Sequence, residues 1–142
     1  MNDELKQHCD RLQEELKIAE TCLARVGQRL ASPEAIPLAE WKVLLQEATA
    51  KCSEMREQAR QAGERFKVWM EESENRKEAP FEDSNLDGEV TRAEKQAELE
   101  EGVAQDAMRV AAYASLQAEV AILKAFTTRK RASDLARFKN EF

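Results

Sequence analysis

Apolar or small residues recur along the first part of the chain at Leu5, Cys9, Leu12, Leu16, Ala19, Leu23, Val26 and Leu30, in alternating steps of four and three. That spacing keeps a stripe on one side of an α-helix and is the heptad signature of a coiled-coil seam. It predicts a first helix over about 3–31. Ser32-Pro33 reads as an N-cap and first-turn proline, and after Pro37 a second stripe runs through Leu38, Trp41, Leu45, Ala48, Cys52, Met55, Ala59, Ala62, Phe66 and Trp69. It predicts a second helix over about 37–72.

Facing positions of an antiparallel hairpin keep a constant sum of residue numbers, and the two stripes satisfy that condition. Leu30 falls opposite Leu38, Val26 opposite Trp41, Leu16 opposite Cys52 and Leu5 opposite Ala62. Large residues of the first helix mostly meet small ones of the second, which allows close approach. Phe66 and Trp69 lie beyond the start of the first helix and need cover from a third helix or a partner chain.

From Ser73 to Glu89 the pattern lapses into a polar stretch containing Pro80 and Gly88, a connector long for a helical bundle. A third helix follows over about 91–139, with Gly102 its one helix-weakening residue, and a length of about 75 Å at 1.5 Å per residue. Between Val103 and Phe126 it is apolar on more than one face, so it should touch more than one neighbour. Folded back along the second helix, it places Val103 by Ala62, Val110 by Met55, Leu123 by Trp41 and Phe126 by Leu38, and runs parallel to the first. The expected fold is a single all-α domain over 1–142: three long helices in an antiparallel coiled-coil-like bundle. Surplus apolar surface on the third helix suggests a homodimer.

In this arrangement the chain past about Thr128 projects beyond the first connector, carrying Leu135, Phe138 and Phe142 among Arg131, Arg137 and Lys139. Those apolar residues, with Phe66 and Trp69, are the candidate partner-binding positions. The alternative is a break after Phe126, with the tail folded over the bundle end. Phe66, Trp69 and Met70 can also be read as a small-ligand pocket or as plain end-of-core packing.

Composition narrows the function. With 35% charged and 6% aromatic residues, the chain can bury a narrow seam more easily than a broad globular core. A net charge of −6 argues against nucleic-acid binding, and the one basic cluster, Arg129-Lys130-Arg131, is short. The start Met1-Asn-Asp-Glu-Leu is acidic, and no apolar run approaches the roughly 18 residues of a membrane span, so a cytoplasmic protein with no membrane partner is expected. Cys9, Cys22 and Cys52 lack metal-ligand spacing and read as small core residues in a reducing compartment. The one histidine, His8, reads as a partly covered surface residue beside the seam. No Glu-x-x-His motif, phosphate loop or nucleophile elbow is present, and Glu14-Glu15 and Glu71-Glu72 fall on predicted exposed faces. An enzyme is not expected.

One segment spells a specific chemistry. In Asp83-Ser-Asn-Leu-Asp-Gly-Glu-Val-Thr-Arg-Ala-Glu94, oxygen-bearing residues fall at positions 1, 3, 5, 9 and 12 with glycine at position 6. A hard cation needs about six or seven oxygens, and alternate residues of a tight turn can converge them on one point. The segment resembles the calcium-binding loop of EF-hand proteins over these twelve residues only. The resemblance implies Ca2+ held by the side chains of Asp83, Asn85, Asp87 and Glu94, the carbonyl of Glu89 and the hydroxyl of Thr91 or a bridging water. A metal-free reading is also available, with Asp87-Gly88 as a turn and Thr91-x-x-Glu94 as a capping box. The expected function is a helical protein-interaction module whose calcium loop orders the second connector. The alternatives are a metal-free coiled-coil adaptor or secretion-type chaperone, and a bundle that carries or senses a small apolar ligand.

Overall fold

A computed structural model describes residues 3–32, 34, 36–75 and 86–141. It contains three helices: α1 over Asp3–Ala31, α2 over Leu38–Glu74 and α3 over Leu86–Glu141. They pack as an all-α bundle. α3 is continuous through Gly102 and past Phe126, with neither a break nor a folded-back tail. It begins at Leu86, a turn earlier than the polar run suggests, because Asp87 and Glu89 favour the positive end of a helix dipole.

α3 is the hub, and both other helices pack on it while scarcely touching each other. The predicted α1–α2 hairpin is therefore corrected. The parallel course of α1 and α3 is seen in their ion pairs: Glu15 meets Arg109, and Arg25 meets Glu119, each pair separated by 94 residues. α2 runs antiparallel to α3 and uses the face predicted for it, burying Trp41, Ala48, Cys52, Ala59 and Ala62. The register matches the predicted one at the connector end, where Trp41 and Leu123 share a core cluster, and departs from it toward the open end. Trp41 packs edge-on against Phe126, with ring centroids 5.4 Å apart, and Gly63 rather than Met55 lies against Val110.

α1 is rotated from its predicted orientation. The residues turned inward are His8, Leu12, Glu15, Ala19, Cys22, Val26 and Arg29, whereas Leu5, Cys9, Leu16, Leu23 and Leu30 are exposed. Leu12, Ala19 and Val26 belong to both stripes, so the helix has turned by one row about a shared edge. The reason is electrostatic: this face carries the partners of two α3 side chains, Arg109 and Glu119, which the leucine row would leave unpaired.

The centre lies where the three helices converge, at Leu116, Leu123 and Ala112, each 0% exposed. Trp41 closes the connector end, its Nε1 donating to the Ile36 carbonyl at 2.9 Å. Pro37 is the N-cap of α2, its carbonyl accepting from the amides of Glu40 and Trp41, so Ser32 does not cap this helix. Among the described residues no helix is long and apolar enough to cross a membrane.

Candidate functional site

The candidate surfaces follow from how much of α3 its neighbours cover. From about Val103 to Thr127 one side of α3 is buried or half-buried, whereas every residue from Val90 to Glu100 is exposed. Among the described residues past Thr127 only Asp134 is partly covered. α3 thus overhangs the other helices at both ends. On the C-terminal overhang Leu135 is 58% and Phe138 61% exposed, one turn apart, with Arg131, Arg137 and Lys139 alongside. Their placement matches a projecting apolar stripe. Phe142 lies outside the described residues.

At the other end Phe66 and Trp69 stack on one another, centroids 6.2 Å apart, and are half-covered. Trp69 helps to line an open groove of about 600 Å³ between α2 and α3, with Val68, Leu99 and Val103 as its apolar wall and Arg65 and Asp106 as its polar one. Met70 is exposed. The four described partner-binding candidates therefore do not form one surface: Phe66 and Trp69 sit at the end opposite Leu135 and Phe138.

The calcium-loop candidates divide at the edge of the described residues. Asp83 and Asn85 lie outside them, while Asp87, Glu89, Thr91 and Glu94 stand in the first turns of α3. There the Thr91 hydroxyl donates to the Asp87 carbonyl at 3.0 Å, and Glu89 pairs with Arg92 at 3.1 Å. In a helix, residues two apart project about 200° apart, so Asp87, Glu89 and Thr91 do not converge in this conformation. Among the described residues no three His, Cys, Asp or Glu side chains form a metal-binding group.

Two buried carboxylates were not foreseen from the heptad pattern. Asp106, 7% exposed, accepts two bonds from Arg65 of α2, at 2.9 and 2.8 Å. Glu119, 3% exposed, accepts from Arg25 at 2.9 Å and Arg29 at 3.2 Å, both on α1. Each flank of α3 is thus latched to a different neighbour. Hydrogen bonding to Glu119 raises the Arg25 guanidinium above its ordinary value, and Asp106 does the same for Arg65. The legible signal was that Asp106 falls between Val103 and Val110, and Glu119 between Leu116 and Leu123, on the apolar side of the helix, which is tolerated only if the charge is met.

Three smaller corrections share this origin. Glu15, expected on an exposed face, is half-covered and bonded to Arg109 at 3.2 Å. His8 is buried rather than partly covered. Of the cysteines, Cys22 and Cys52 are core residues while Cys9 is exposed. Burial, reinforced by the neighbouring Glu119 carboxylate, pushes the Cys22 thiol up from its ordinary value. No protein family, curated protein or solved structure matches this chain.

Proposed function

We propose that the chain is a non-enzymatic helical interaction module in which α1 and α2 clasp the middle of α3 and leave its ends and outer face for a protein partner. The observation that carries this reading is the length of α3 against what covers it. A helix of 56 residues spans about 84 Å, and its neighbours bury little more than the stretch from Val103 to Thr127. Leu135 and Phe138 on the overhang, flanked by bases, suit an amphipathic or acidic partner helix. A cytoplasmic setting agrees with the three unpaired thiols.

The test is a photo-reactive amino acid placed at position 135 of the full chain in cells, with the exposed polar position 58 as control. A discrete adduct containing a second polypeptide at 135, absent at 58, is the expected result. No adduct at either position would overturn the reading.

Calcium binding at Asp83–Glu94 makes a separate demand. Convergence of Asp87, Glu89 and Thr91 requires the first turns of α3 to unwind, so a calcium-bound form has a shorter α3 and a longer, ordered connector. Calorimetry on metal-free protein should then give saturable heat at one ion per chain, accompanied by a loss of helical circular dichroism, and Glu94→Gln should abolish both. Silence up to about 1 mM calcium, the weak limit for such loops, would leave a metal-free adaptor. The groove beside Trp69 is the feature that favours the ligand-carrying alternative, which a co-purified small molecule in native mass spectrometry would support.

A further inference from the structure

The outer face of α3, opposite the two helices that clasp it, carries a pattern that the bundle does not use. Alanines recur from Ala104 to Ala125 in alternating steps of three and four, a second heptad seam on the same helix. From Ala111 onward these alanines are exposed. The spacing continues outward along both overhangs to Leu86 and Val90 at one end and to Leu135 at the other, which are 61%, 49% and 58% exposed. Small residues along a helix let a second helix approach to the short end of the 8–10 Å range of interaxial distances. By itself the seam does not say which helix.

The charges do. Between Leu86 and Gly102, α3 has six carboxylates against two bases; between Lys124 and Asn140 it has six bases against the single carboxylate of Asp134. A second copy of α3 laid parallel would set acid on acid and base on base. Laid antiparallel, it sets each acidic overhang against a basic one. We infer that the protein forms an antiparallel homodimer through the outer face of α3, with the two copies related by a dyad near Ala111 and Ala114.

The register follows from the seam. With Ala111 opposite Ala114 of the partner subunit, Val90 meets Leu135 of the partner subunit, so the exposed apolar residues of the two overhangs cover each other. On the flank, Glu94 falls beside Arg129 of the partner subunit. The whole 56-residue helix takes part, and a two-row seam with its flanking rows engages about thirty residues per copy, at the upper end of the 20–30 per side of a stable interface. The inference rests on the interaction-module reading and names the partner as the chain itself.

The test uses the full chain carrying Cys9→Ala, since Cys9 is exposed and would cross-link on its own. Sedimentation equilibrium should give twice the chain mass, and Ala114→Arg, at an exposed position, should weaken association about tenfold or more with unchanged helicity. On oxidation, a mixture of Val90→Cys and Leu135→Cys chains should form the mixed disulfide in preference to either symmetric one. A monomer, a dimer indifferent to Ala114→Arg, or symmetric Val90→Cys cross-links would each overturn the antiparallel seam. A monomer whose position 135 still captures a different protein would refute this dimer and leave the interaction module standing.

Discussion

The two helices that flank α3 hold it in different ways. α2 presents Trp41 and a row of small side chains, Ala48, Cys52, Ala59 and Ala62, and its long-range ion pair of Arg65 with Asp106 lies near the open end. α1 buries four residues over its length and holds on largely through Glu15, Arg25 and Arg29. Apolar contact is non-directional and accepts several registers. A buried carboxylate accepts one, because an unpaired charge in the interior costs several kcal/mol. That explains why the more leucine-rich stripe of α1 loses to a mixed row: the leucines lose some favourable burial by staying in water, whereas Glu119 without Arg25 and Arg29 would lose more.

The sharpest way to break this comparison is to delete the apolar anchor of α2. Trp41→Ala should cost about 3–5 kcal/mol, read as a fall in the midpoint of urea unfolding, since the indole is 3% exposed and its Nε1 bond is lost as well. Glu119→Ala attacks the other side and should cost about 2–3 kcal/mol, because it strands Arg29, whose side chain is only 12% exposed. Replacing Glu119, Arg25 and Arg29 together by leucine should recover most of that loss. It should also free α1 to rotate toward its leucine row, which amide exchange on α1 would detect.

Smaller effects sharpen the same contrast. Gly102→Ala should stabilise by about 0.5–1 kcal/mol, because nothing lies within 4 Å of the added Cβ and alanine is the better helix former. Leu23→Lys should change unfolding by less than about 0.5 kcal/mol, its side chain being 57% exposed. Had the α1–α2 hairpin formed, the same substitution would cost several times more. The smallest effect is on pH. The folded state raises the Cys22 thiol, so in the alkaline range where the unfolded chain has released this proton the folded chain retains it, and stability falls as pH rises. The fall should begin at about pH 8.5, where a thiol of the unfolded chain titrates, and vanish in Cys22→Ala, measured against that variant's own neutral-pH stability.

What could be read from the sequence sorts along the same line. The existence of three helices, the buried face of α2, the direction of α3 against both neighbours and the projection of Leu135 and Phe138 all follow from heptad spacing, which fixes which side of a helix is apolar. The rotation of α1 was not legible, because it depends on which long-range carboxylate meets which arginine, and Glu119 lies 94 residues from Arg25. Trp41 does meet Leu123 as predicted, but toward the open end the register of α2 on α3 departs for a related reason. Small residues on α2 allow several nearly equivalent positions, and the Trp41–Phe126 contact and the Arg65–Asp106 pair choose among them. The loop from Asp83 to Glu94 matches a residue pattern in full, yet its second half takes up helix, because a spacing rule says which residues are present and not which backbone they adopt.

The two tryptophans sit at opposite ends of α2, and the chain has no others. Trp41 is sealed at the closed end and Trp69 stands at the mouth of the open groove. The molecule therefore carries its own pair of optical reporters, one shielded and one wet. Fraying from the open end should alter Trp69 emission while Trp41 stays blue-shifted. Trp41→Phe and Trp69→Phe would separate the two signals and show, without any added label, from which end the rod comes apart.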